Sequence, residues 1–161
     1  MKIESLRVDL TRQVMCAMCS DGSRVDYAVS TALNGPGEEE NSECTPRGLH
    51  EICAKIGEGC APNTVFVGRV PTGELWSEAL ARQHPGRDWI LSRILWLHGL
   101  EPGRNQGGTV DTRSRYIYIH GTPGTTALGV PGSRGCIRMR NADITQLFDA
   151  VTIGTPVRID V

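Results

Sequence analysis

Arg115-Tyr116-Ile117-Tyr118-Ile119-His120 leads into Gly121 and a stretch broken by Pro123, Gly124, Gly129, Pro131, Gly132 and Gly135 that ends at Cys136; its reading decides the fold. The first six residues are rich in aromatic and β-branched side chains, as a pleated, half-buried strand requires. A period of two puts Tyr116, Tyr118 and His120 on one face and leaves His120 at the strand's end. Beyond it the glycines and prolines predict loop until Asn141, read as the cap of a helix with Asp143 in its first turn and Ile144, Leu147, Phe148 and Val151 on one side. Thr155–Val161 reads as a closing strand.

Working outward, Ile3–Leu10, Arg12–Met18 and Ser23–Ser30 alternate or run apolar, with Asp21-Gly22 as a strong turn signal. Asn34–Glu43 is polar and acidic, and is expected to be a solvated loop. Leu49–Ile56 and Thr64–Val70 read as strands and Glu74–Gln83 as helical, whereas Trp89–Leu97 fits either a strand or a buried helix. Abundant Gly (19) and Pro (9) fit a loop-rich chain. The expected architecture is mostly β, a β-rich α+β fold, in a single domain spanning 1–161.

A chain of 161 residues is long enough to bury about two-thirds of its unfolded surface without disulfide or metal. A formal net charge of −1 argues against nucleic acid as a partner. No window approaches the roughly 18 apolar residues of a membrane span, and the alternating start, Met1 to Asp9, lacks the apolar stretch of an export signal. If Cys136 is reserved for chemistry, five of the six cysteines remain and cannot all pair. These features predict a protein of the reducing cytoplasm. Cys16-Ala17-Met18-Cys19 has metal or redox spacing, but residues three apart on a strand point to opposite faces, and Cys44, Cys53 and Cys60 supply no second half-site. No metal or cofactor is expected.

A thiol becomes a good nucleophile as thiolate, which an imidazole, cations or backbone dipoles can favour. Cys136 lies in Ser133-Arg134-Gly135-Cys136-Ile137-Arg138-Met139-Arg140, where three arginines crowd one thiol, Gly135 lets backbone approach a substrate carbonyl, and successive amides offer an oxyanion hole. A cysteine beside glycine is more often inert and buried. His120, sixteen residues upstream on a rigid element beside a loop, is what turns the reading towards catalysis.

Ile119-His120-Gly121-Thr122, then Gly129-x-Pro131-x-Ser133-Arg134-Gly135-Cys136-Ile137-Arg138-Met139, then Asp143, Leu147-Phe148 and Gly154-Thr155-Pro156-Val157-x-Ile159, closely resemble the signature of the L,D-transpeptidase (YkuD-like) catalytic domain. Ala28-Val29-Ser30-Thr31 and Thr45-Pro46-x-Gly48 resemble the family's early strand and Thr-Pro turn, so the likeness covers most of the chain. It implies a β-sandwich or barrel with a small helical cap, and a thiolate–imidazole pair at Cys136 and His120 with the ring steadied by the carbonyl of Gly121. Arg134 stands where many members carry a second histidine. The implied substrate is a peptidoglycan stem tetrapeptide or muropeptide: Cys136 attacks the carbonyl joining a diamino acid to the terminal D-Ala, D-Ala leaves, and a thioester remains. A substrate carboxylate calls for a bidentate arginine, with Arg138 the first candidate and Arg134 the second. Ser133, Gly135 and Tyr118 complete the expected substrate contacts. His50, His84 and His98 lie in unrelated contexts.

The thioester has two fates. Water gives an L,D-carboxypeptidase, the expectation for a cytoplasmic protein trimming wall fragments; an amine gives cross-links or exchanged D-amino acids. A non-enzymatic cysteine-rich metal or redox module is the rival from another class.

Overall fold

The computed structural model describes every residue from Met1 to Val161. Its strands are β1 (Ile3–Asp9), β2 (Val14–Cys19), β3 (Arg24–Ser30), β4 (Gly48–Ile56), β5 (Thr64–Val67), β6 (Val70–Leu75), β7 (Ile90–Gly99), β8 (Tyr118–Thr122), β9 (Ile137–Arg140) and β10 (Pro156–Asp160), with helices α1 (Glu78–Gln83) and α2 (Asn141–Ala150). Pairing runs β4-β10-β1-β2-β3-β9-β8-β7, and β7 pairs back onto β4, so these strands close a ring. Closure removes free edges from the barrel. The β5–β6 hairpin continues beside β7 through Val65–Leu91 and Phe66–Ile90.

Alternating side chains explain the core. Leu6 and Val8 of β1, Met15 and Ala17 of β2, Ile119 of β8, Ile137 and Met139 of β9, and Val157 and Ile159 of β10 all point inward and are buried. Helix α2 sets Ile144, Leu147 and Phe148 into the same cluster and packs on β7, β8 and β9. Each such Leu, Ile, Val, Met or Phe side chain contributes about 1.5–3 kcal/mol relative to exposure.

Four local expectations are corrected, and one left open is decided. Thr64–Val70 is a hairpin rather than one strand, because Gly68 and Arg69 both take left-handed φ, 55° and 65°, and turn the chain back. β6 therefore extends to Leu75, and the helix starts only at Glu78, after Ser77 accepts the Leu80 N–H on its hydroxyl. The Trp89–Leu97 run is strand: Leu91 to Leu95 are buried on both faces, which erases the period-two signal. Tyr116 has φ of 58°, so strand structure begins at Tyr118, not Arg115. Finally, Arg140 occupies the α2 cap position without a side-chain bond, and Asn141 lies inside the first turn. β9 had no counterpart in the sequence reading, which expected order to resume only at Asn141.

Candidate active site

β8 and β9 run parallel with Ile119 opposite Ile137 and His120 opposite Arg138. With both isoleucines in the core, alternation turns Tyr118, His120, Cys136 and Arg138 to the outer face, towards the β5–β6 hairpin. The loop joining the two strands is tied down: Gly129 N–H donates to Val29 O, and Gly132 and Ser133 N–H both donate to Thr31 O. The result is a cavity of about 510 Å³ whose lining includes His120, Cys136, Arg69, Asp88, Tyr116 and Arg134.

His120 is fully buried, and its Nδ1 lies 2.7 Å from Gly121 O. A carbonyl only accepts, so Nδ1 carries the proton and Nε2 keeps its lone pair. Nε2 is buried with no partner. Burial holds the imidazole below its ordinary value of 6.5, against the opposing pull of the Gly121 carbonyl and Asp88. A side chain at Gly121 would collide with Leu91 O and Asn141 Oδ1. Asn141 in turn accepts from Ser92 Oγ at 2.8 Å and donates to Asn63 Oδ1 at 2.8 Å, which fixes the wall behind the histidine.

Cys136 is half-buried. Its sulfur receives the Tyr118 N–H at 3.3 Å and donates to Tyr116 O at 3.4 Å. Burial pushes the thiol up to about 12, while the Tyr118 N–H, Arg138 and Arg115 pull down and Asp88 adds to the rise. Both directions favour a neutral thiol beside a neutral imidazole, whereas the resemblance implies a thiolate–imidazole pair. The nearby arginines do not outweigh that burial. Arg134 is exposed, Arg140 lies 3.9 Å from Asp143, and Arg138 is offset by Asp88 at 2.9 Å.

The turn before the thiol is braced from within. Ser133 Oγ donates to Cys136 O at 2.6 Å and accepts the Gly135 N–H at 3.1 Å; Thr45 Oγ1 donates to Gly135 O at 2.9 Å. Gly135 has φ of 131°, and a Cβ there would press on Cys44 O and Ile117. Its backbone demands glycine, and its N–H is spent on Ser133 rather than open to an oxyanion. Ser133 thus shapes the turn, with its hydroxyl engaged within the chain.

Arg138 is likewise engaged, donating from Nη1 to Gly132 O at 3.0 Å and from Nη2 to Asp88 at 2.9 Å. Tyr118 accepts from Arg69 Nη1 at 3.0 Å on its hydroxyl. Sequence reading missed Arg69, Asp88, Tyr116 and Arg115; the last donates to Gly37, Glu38 and Cys44 carbonyls and pins the acidic loop. That loop is not simply solvated, since Glu38 forms a bidentate pair with Arg47 that holds its carboxyl below the usual range. Of the four missed residues, Tyr116 alone carried an advance sign, its period-two place on the face of His120. His98 lies outside the cavity, against Gln106, and Cys16 and Cys19 occupy opposite faces of β2.

A family model described as the L,D-transpeptidase catalytic domain matches residues 4–159. The chain belongs to that family. Among curated L,D-transpeptidase relatives, it is 46% identical over 115 residues to probable L,D-transpeptidase YbiS of Escherichia coli K12, covering 60% of this chain and 38% of that one. It is 51% identical over 45 residues to probable L,D-transpeptidase ErfK/SrfK of Salmonella typhimurium, covering 28% of this chain and 15% of that one. The chain thus spans well under half the length of these relatives. The L,D-transpeptidase fold is seen again in L,D-transpeptidase 3 of Mycobacterium tuberculosis, with a TM-score of 0.60 at 17% identity over 98% of this chain and 60% of that one.

Proposed function

We propose that this L,D-transpeptidase domain is a cysteine acyl-transfer enzyme that cleaves the bond between the diamino acid and the terminal D-Ala of peptidoglycan stem tetrapeptides. The observation that carries the reading is the orphaned Nε2 of His120, its tautomer set by Gly121 O, in the same cavity as the Cys136 thiol. His120 Nε2 takes the thiol proton as sulfur bonds to the carbonyl carbon; the carbon–nitrogen bond then breaks, the leaving amine takes the proton, and a thioester remains. An acceptor loses a proton to His120 and displaces the sulfur, which is reprotonated. The Tyr118 N–H, aimed at the sulfur, steadies it whenever it is charged.

Water is the acceptor in this reading, giving an L,D-carboxypeptidase that trims wall fragments in the cytoplasm. With Cys136 as nucleophile, the five other cysteines cannot all pair, which fits a reducing compartment. Transfer to an amine is the second reading, supported by the names of the relatives. A tetrapeptide incubated with the protein should lose one D-Ala by mass, and Cys136→Ala and His120→Ala should each reduce the rate at least about a thousandfold. Full activity in either variant overturns the mechanism. Excess D-amino acid separates the fates: exchange product marks a transpeptidase, tripeptide alone a carboxypeptidase.

A further inference from the structure

The cavity holds four arginines, and their engagement differs. Arg138 has both terminal nitrogens occupied, by Gly132 O and Asp88. Arg115 spends its own on carbonyls of the acidic loop. Arg134 is exposed and makes no side-chain hydrogen bond, so a ligand must first order it. Arg69 differs from all three. It sits at the tip of the β5–β6 hairpin, its guanidinium carbon 4.7 Å from the Trp96 ring centre and 5.0 Å from that of Tyr116. A single donor, Nη1, is committed, to the Tyr118 hydroxyl at 3.0 Å, and none of the molecule's ion pairs includes Arg69.

Two aromatic faces and one hydrogen bond hold a planar cation over the cavity with most of its donor fork free. That is what a carboxylate receptor requires, because the side chain is ordered before the ligand arrives and its charge is not already neutralised. The position is close to the chemistry, since Tyr118, which anchors Arg69 through its hydroxyl, also delivers its N–H to Cys136 Sγ. Resting on the stem-peptide reading above, we propose that Arg69, rather than Arg138 or Arg134, grips a carboxylate of the stem peptide and makes the site select acids over amides. The carboxylate is either that of the terminal D-Ala or one carried by the diamino acid.

The test is calorimetric titration in the Cys136→Ala background with three tetrapeptides: one with all its carboxylates free, one with a C-terminal amide, and one amidated on the diamino acid side chain. The free acid should bind at least about tenfold tighter than one of the two amides, and the weaker amide identifies the carboxylate held. Arg69→Gly suits the left-handed φ at that position and should bring the preference within about twofold, Arg69→Lys should keep part of it, and Arg134→Ala should keep all of it. Equal binding of all three peptides, or an undiminished preference in Arg69→Gly, overturns the proposal. Failure of every peptide to bind overturns the stem-peptide reading itself and this inference with it.

Discussion

At the scale of single residues, protonation is what the structure adds to the motif. Burial pushes the Cys136 thiol up to about 12 and holds the His120 imidazole below 6.5, which on the proposed mechanism means that Cys136 is activated by proton transfer during attack. Alkylation of Cys136 by iodoacetamide, followed by peptide mass mapping, should accordingly be slow at pH 7 and climb steadily beyond pH 9. A plateau of fast labelling near pH 6 would instead reveal a preformed ion pair. With the unprotonated ring as the proposed base, activity should persist below pH 6.5 and fall only as pH drops through the lowered imidazole value. Gly121→Ala should destabilise the fold by about 1–3 kcal/mol in urea titrations, since a methyl there meets backbone on β7. Cys136, His120 and Gly121 were legible because they fall in one short run of sequence. Arg69 and Asp88 were not, because only the tertiary fold brings the hairpin and the segment just before β7 to the thiol.

At the scale of elements, most strands could be read from alternation, and the failures share a cause. Left-handed backbone at Arg69 and Tyr116 is imposed by tertiary packing on residues with no propensity for it, so a hairpin was read as one strand and β8 was begun three residues early. β9 is only four residues long and sits between a loop and a helix, too short for a period to show. Asn141 carried the signature of a cap, yet the structure uses it to bolt α2 to β7 and to the segment before β5. Asn141→Ala should leave the buried Ser92 hydroxyl and the Asn63 amide short of partners. A loss of about 1–3 kcal/mol is expected in chemical unfolding, together with a fall in turnover as the wall behind His120 loosens.

At the scale of the whole molecule, barrel closure depends on β4, whose His50 is fully buried between Gly48 O at 3.0 Å and Thr112 Oγ1 at 2.9 Å. Burial lowers His50 to about 4. Between that value and the ordinary 6.5 the unfolded chain binds a proton that the folded chain refuses. Stability is thus full above pH 6.5 and falls as pH drops towards 4, by about 3 kcal/mol for this group, with His120 acting in the same direction. Urea midpoints at pH 7.5 and 4.5 should show the loss, and His50→Gln should flatten it. The mostly β class was evident from composition and alternation, but ring closure was not, because the β4–β7 and β1–β10 pairings join segments far apart in sequence. The β1–β10 pairing also has a mechanical meaning. These two terminal strands lie side by side and parallel, in register from Leu6–Val157 to Asp9–Asp160, so the chain leaves the barrel at opposite ends of one ladder. A force drawn through both ends acts along the strands and loads every rung of that ladder together in shear, whereas a grip on the open ends of the β2–β3 hairpin, at Val14 and Ala28, would open its rungs one after another like a zip.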